Sequence, residues 1–196
     1  METRHRMAGL NRMFVLIGVI AFSSLGYAAE PGLRNPKVTF TATGAAGLKV
    51  VGTGTELTLE TQGQTLVFKA PLRSISTGIA LRDRQMRDKY LEVESYPFIE
   101  LRIAREALSL PALNGGTSGD AKARLSMHGK AKDTTVHYSI RRQGQWVEVT
   151  GTFRVDVRAH GIDVPNYRGM TLNPEVDVEV SFGSLDRAVV ADAPSE

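Results

Sequence analysis

Few side chains in this sequence are placed to do chemistry. Beyond the N-terminal segment the histidines are His128, His137 and His160. His128 and His137 take the polar parity of two consecutive alternating runs, so a hairpin could bring them together diagonally. Two histidines with no evident third ligand make a poor metal site, and surface polar contacts account for them better. Cysteine is absent, which removes thiol chemistry, disulfides and any lipidated N-terminal cysteine. There is no Gly-x-Ser-x-Gly elbow, phosphate loop or coenzyme fingerprint, and no serine has an obvious histidine and carboxylate set. Asp83 shares a helical face with Ile79, Met86 and Tyr90. It could meet a polar headgroup, but a carboxylate favoured by the helix dipole, or paired with Arg82 or Arg87, explains it more simply. Tyr138 and Tyr167 carry hydroxyls that suit a quinone-like or alcohol headgroup and suit an ordinary barrel wall equally well. Nothing here argues for catalysis, a metal or a cofactor.

The elements that must position these residues are strands. Val176, Val178, Val180 and Phe182 alternate with Glu175, Asp177, Glu179 and Ser181. Period two marks a strand with one buried and one wet face. The same rhythm runs through Val38, Phe40 and Ala42, through Leu66, Phe68, Ala70 and Leu72, and through Ile99, Leu101 and Ile103. It continues in Ala121 to Met127, Val136 to Ile140 and Val147 to Val157. The stretch 48–54 is glycine-rich and ambiguous in parity. Gln62-Gly63 and Gln143-Gly144 read as tight hairpin turns, and 129–133 as a further turn. Trp146, just past one of these turns on the polar parity, is expected at the surface. One stretch, 76–91, breaks the rhythm and reads as a short helix with Thr77 as a candidate cap. The sum is an all-β chain in one domain: an antiparallel barrel of eight to nine strands, with one short helix. Its charged parity belongs in water, because an outer-membrane barrel would need that face apolar.

The N-terminus reads differently. Arg4, Arg6 and Arg12 precede an apolar run of about 13 residues, short of the roughly 20 that span a bilayer. Gly26-Tyr27-Ala28 supplies the small residues of a cleavage site, so residues 1–28 read as a secretory signal peptide. The chain has 24 basic and 21 acidic residues; losing three arginines and Glu2 leaves 21 and 20, a net charge of +1. That near-neutrality gives no support to nucleic-acid binding. The expected mature domain spans 29–187, followed by a tail at 188–196, in the periplasm or secreted.

Several short motifs fall in a recognisable order: Ser74-Ile75-Ser76-Thr77, Arg82-Asp83, Tyr96-Pro97-Phe98-Ile99, the run 125–130 and the run 161–169. Together they resemble the YceI-like family of exported lipid-binding proteins. The resemblance covers about 36–185. It implies a lipocalin-like barrel with a helix by its mouth and a long isoprenoid or similar amphiphilic chain inside. The sequence departs from the family where aromatic and histidine residues often stand: 35–40 lacks both Trp and His, and Gln85-Met86 follows the Arg-Asp pair. On the residues alone, the apolar face could instead build a filled core, with the barrel acting as a stress-related or protein-interaction module; the remaining alternative is an enzyme on a lipid substrate, which would need convergent titratable groups at a pocket. The lining expected for a ligand is Phe40, Leu59, Phe68, Leu72, Ile99, Leu101, Leu125, Met127, Tyr138, Val149, Phe153, Val178 and Phe182. Met86 and Tyr90 would close one end from the helix.

Overall fold

Alternation builds the sheet. The computed structural model describes residues 32–167, 170–185 and 189. The expected leader, the tail apart from Val189, and the side chain of Tyr167 lie outside the described residues. The strands are β1 (Arg34–Gly44), β2 (Lys49–Gly54), β3 (Thr58–Gln62), β4 (Thr65–Pro71), β5 (Phe98–Ala104), β6 (Gly116–Met127), β7 (Lys130–Gln143), β8 (Trp146–Asp156), the short β9 (Asn166–Tyr167) and β10 (Met170–Leu185). Nine of them form one antiparallel ladder in the order β2-β1-β10-β8-β7-β6-β5-β4-β3, and β9 pairs with β10 alone. The ladder is strongly curled into a half-barrel. Register keeps the faces apart. Val178 lies opposite Phe40 on one side and Phe153 on the other, all on the inner face. Its neighbour Asp177 lies opposite Thr41 and Arg154 on the outer face. There Arg154 donates to Asp177 at 2.8 Å and to Glu175 at 3.5 Å, all exposed. Turned to lipid, such charges would each cost up to a few kcal/mol at the bilayer midplane. Among the described residues no helix is long and apolar enough to cross a membrane.

The curled sheet does not close by strand pairing. Its end strands, β2 and β3, are not hydrogen-bonded to each other. The segment after β4 covers the gap instead. Thr53 of β2 and Ser76 exchange backbone hydrogen bonds of 2.8 and 2.9 Å. Gly54 lets this segment come close, since a Cβ there would lie 3.2 Å from the Ser74 hydroxyl. Gly52 has a second reason to be glycine. It pairs with Phe40, and a Cβ would fall 2.2 Å from that ring. The parity that the sequence left ambiguous in β2 is thus settled by an aromatic ring lying over the strand.

Three local expectations change. The turn after β6 is tighter than 129–133: Met127 pairs with Lys130, and His128 and Gly129 both have positive φ, 51° and 71°. That is the two-residue hairpin turn whose twist matches the strands. The helix α1 (Ala80–Gln85) begins after Ile79 with no side-chain cap, so Thr77 is not its cap. It runs on through a wider, π-helical turn at Met86–Tyr90. Finally, β10 starts at Met170, which shortens the irregular crossing expected over 158–173.

The two ends of the half-barrel differ. The helix, the 45–47 and 128–129 turns and the 158–165 crossing sit at one end, the mouth. At the other end Leu66, Ile103, Ile140, Val147, Phe182 and Val189 are buried together. A smaller cluster, Leu72, Ile75 and Val93, joins the helix region to the wall through Phe40, Met86, Leu91 and Ile99.

The close approach of Phe40 to β2 makes a direct test. Gly52→Ala should lower stability by roughly 1–3 kcal/mol through overpacking. Adding Phe40→Leu should recover part of that loss in urea unfolding, as coupled neighbours do. Additive losses would show that the ring does not set the glycine.

Candidate ligand cavity

The inner face of the sheet does not meet itself. It surrounds a cavity of about 610 Å³, within the range of roughly 300–1,000 Å³ typical of small-ligand sites. Of the residues expected from alternation, Phe40, Val149, Phe153 and Val178 line it from β1, β8 and β10. From β4 to β7 come Phe68, Ile99, Leu101, Leu125, Met127 and Tyr138. Phe182 lines the deep end, 5.6 Å from Phe68 between ring centroids. Leu72, Met86 and Tyr90 line it from the segment that covers the seam. Leu59, expected on the wall, does not line the cavity. It sits on the end strand β3 opposite Phe68, packs against the core, and leaves the wall to Phe68 and Leu57. Phe40, Val176, Val178 and Val180 point inward yet are only half-buried. Their inner surfaces face open space, as the wall of a hollow requires and a filled core does not allow.

The sequence did not single out several wall residues. Val176 and Val180 share the parity of Val178 and were readable from it. Val50 lies in the glycine-rich β2, whose parity the sequence leaves ambiguous, and Leu57 stands just before β3, on the stretch that the sequence reads as one strand with Leu57 and Leu59 on one face. The polar rim comes from Arg82 and Gln85 of the helix and from Asp163, Asn166 and Asn173 around the crossing. They come from α1, β9, the start of β10 and the irregular backbone at Asp163, and no single period links elements so far apart in the chain.

Asp83 proves to be a clasp. It is 5% exposed. The Ser76 hydroxyl donates to its Oδ2 at 2.6 Å, the Thr77 backbone N–H donates to Oδ1 at 2.8 Å, and the Thr77 hydroxyl also donates to Oδ1. Arg87 lies 4.0 Å away as the charge partner. Arg82 turns to the same loop, donating to the Thr77 hydroxyl oxygen at 2.8 Å and to its carbonyl at 2.9 Å. Burial pushes the Asp83 carboxyl up. The hydrogen bonds from Ser76 and Thr77 and the charge of Arg87 outweigh that and hold it below the ordinary aspartate value. Because Ser76 also bridges to β2, one carboxylate fastens the helix to the loop that covers the seam.

The histidines do not meet. His128 sits in the β6–β7 turn, its ring 4.3 Å from that of Tyr96 and its Nε2 3.7 Å from Glu92. His137 lies exposed beside Asp120 across the hairpin. His160 is buried, with Nδ1 3.0 Å from the Lys130 carbonyl. Among the described residues, no group of three His, Cys, Asp or Glu side chains could hold a metal. The Tyr138 hydroxyl accepts from the Ser109 backbone N–H at 2.8 Å, so its polar end already has a protein partner. Trp146 is on the outside, under the Arg34 guanidinium at 4.5 Å.

A curled antiparallel sheet around an apolar hollow, with one short helix over the seam, defines a cavity-bearing β half-barrel. Residues 33–183 match the family described as the YceI-like domain, and the chain belongs to that family. Its fold is similar to the solved "polyisoprenoid binding domain from Saccharophagus degradans implicated in plant cell wall breakdown". The TM-score is 0.65 at 15% identity, over 78% of this chain and 95% of that one. It is also similar to Burkholderia cenocepacia BcnA, with a TM-score of 0.61 at 15% identity, over 76% of this chain and 96% of that one. No curated protein sequence matches the chain.

The clasp predicts a pH effect with a defined sign. A carboxyl held low in the folded state adds stability that is complete above its unfolded pKa and is lost as pH falls through its folded pKa. Asp83→Asn should cost about 1.5–3 kcal/mol at neutral pH, the scale of charged hydrogen bonds. It should also flatten the acid limb of a plot of unfolding free energy against pH. An acid limb unchanged from the parent would remove Asp83 from the account.

Proposed function

We propose that the protein is an exported, non-enzymatic binding protein that holds a long apolar chain, an isoprenoid or a similar lipid, inside the half-barrel. The observation that carries this reading is the hollow whose wall is apolar behind its polar rim. At about 30 Å³ per water-sized group, a cavity of about 610 Å³ has room for on the order of twenty such groups. Burying ten methylenes at about 0.8 kcal/mol each gives roughly 8 kcal/mol before ordering costs. That gross figure corresponds to micromolar affinity, so chain length can supply binding with little headgroup chemistry. Membership of the YceI-like family and the fold similarity to a polyisoprenoid-binding domain support the same class of ligand. The basic start, short apolar run and Gly26-Tyr27-Ala28 support export to the periplasm or beyond the cell.

Native mass spectrometry of the purified protein, followed by organic extraction, should recover an apolar chain. A clean unliganded mass, with no extractable lipid and no uptake of isoprenoid alcohols, would sink the reading. In a homologous series, affinity should rise by up to about 0.8 kcal/mol per methylene. The rise should level off near twenty heavy atoms, where about 30 Å³ per group fills the hollow. A flat series would exclude the cavity as the site.

Filling the hollow is the complementary experiment. Val178→Trp places a bulky ring on a half-buried wall position and should weaken chain uptake at least tenfold, on the scale of overpacking costs. Thermal unfolding read beside it shows that the sheet persists. Uptake equal to the parent would show that the chain binds elsewhere.

A further inference from the structure

The helix at the mouth carries an exposed apolar corner. Ile79 is 52% exposed and Leu81 is 63% exposed, yet both also line the cavity opening. Ile79 and Leu81 therefore belong both to the outside of the helix and to the opening of the hollow, beside the polar Arg82 and Gln85. The helix behind this corner is cationic. Arg82, Arg84, Arg87 and Lys89 stand against two carboxylates, Asp83 and Asp88. Asp83 is buried in the clasp with Arg87 as its charge partner, and Arg82 is turned to Thr77, so the exposed charges of the helix are Arg84, Lys89 and Asp88, with Asp163 across the rim. Leu81, Arg84, Gln85, Asp88 and Lys89 are all exposed, along α1 and the wider turn that continues it. The clasp and the bridge between Thr53 and Ser76 hold this face in a fixed orientation beside the opening.

We propose that this helix face docks the protein on an anionic phospholipid bilayer, with the mouth of the cavity against the membrane. Ile79 and Leu81 enter the boundary between headgroups and acyl chains, while Arg84 and Lys89 meet lipid phosphates. An apolar corner flanked by cations is the arrangement that binds membrane surfaces through buried apolar area plus charge attraction. The bilayer is favoured over a protein partner because the apolar corner opens into the cavity. A chain leaving the membrane at that point passes into the hollow without crossing water, which would oppose it methylene by methylene. This docking rests on the proposed chain-binding role for its purpose, but its evidence is the surface itself.

The test is sedimentation of the purified protein with vesicles of equimolar phosphatidylglycerol and phosphatidylcholine, and with phosphatidylcholine alone. Any contribution from residues 1–28 is common to all variants. The parent should bind the anionic vesicles preferentially, and the binding should weaken with added salt. Arg84→Glu with Lys89→Glu should weaken it at least tenfold, since each cation near an anionic surface counts. Leu81→Asp should weaken it as well. Leu113→Asp replaces a leucine that is also 63% exposed but lies in the loop at the far end, and should leave binding unchanged. Equal binding by the parent, the charge-reversed double variant and Leu81→Asp would overturn the proposal. So would self-association of the parent that Leu81→Asp abolishes, which would assign the corner to a second copy of the chain. Uptake of an isoprenoid alcohol from vesicle-free solution separates the two readings. Docking without uptake defeats the chain-binding role alone, and uptake without docking defeats only the membrane surface.

Discussion

A sheet that curls around empty space must have its seam and its mouth covered, and this protein meets both needs with one segment. The end strands β2 and β3 are not paired with each other. Unpaired edges and an unfilled apolar interior are both unfavourable when left to water. The chain between β4 and β5 answers with the backbone bridge from Ser76 to Thr53, the Leu72, Ile75 and Val93 cluster, and the helix itself. Asp83 then ties helix and loop together through Ser76 and Thr77. The stretch that broke the strand rhythm in the sequence is the piece on which the hollow depends.

The hollow persists because its ends are treated unequally. At the far end, large side chains from several strands pack together until Leu66 and Ile140 lose all exposure. Around the middle, wall residues pack sideways against one another, while their inner surfaces stay free. Gly52 and Phe40 show how closely the wall is fitted: the ring takes the place that a side chain on β2 would occupy. The outer face contributes little to stability by comparison. Its pairs, such as Arg154 with Asp177, are exposed, and such pairs are worth only about 0–1 kcal/mol. What they do is keep the outer parity wet, and with it the register of each strand.

The sequence was easiest to read where strands are long. Val176 to Phe182 declares its inner face by four apolar positions in step, and Val136, Tyr138 and Ile140 do the same. Leu59 was misjudged because β3 is five residues long and lies at the end of the ladder. There parity tells which face a side chain is on, and the neighbours decide whether it reaches the opening. His128 was misread because a two-residue turn and the start of a longer one look alike without the pairing of Met127 with Lys130. Asp83 was placed on the helix correctly as a structural carboxylate. Its true partners, Ser76 and Thr77, lie outside the helix, where helical spacing cannot point.

The sequence by itself determined the class of fold, the two faces of the longer strands and the helix between β4 and β5. These are local properties: alternation is imposed by the backbone of each strand and needs no knowledge of its neighbours. Tertiary structure alone decided that the interior is hollow, that β2 and β3 stay apart, and that the polar rim gathers residues from the helix and the crossing. A cavity is the space left when all nine strands have curled. Its existence depends on distances between residues far apart in the chain, and a filled barrel and an open one carry the same period of two.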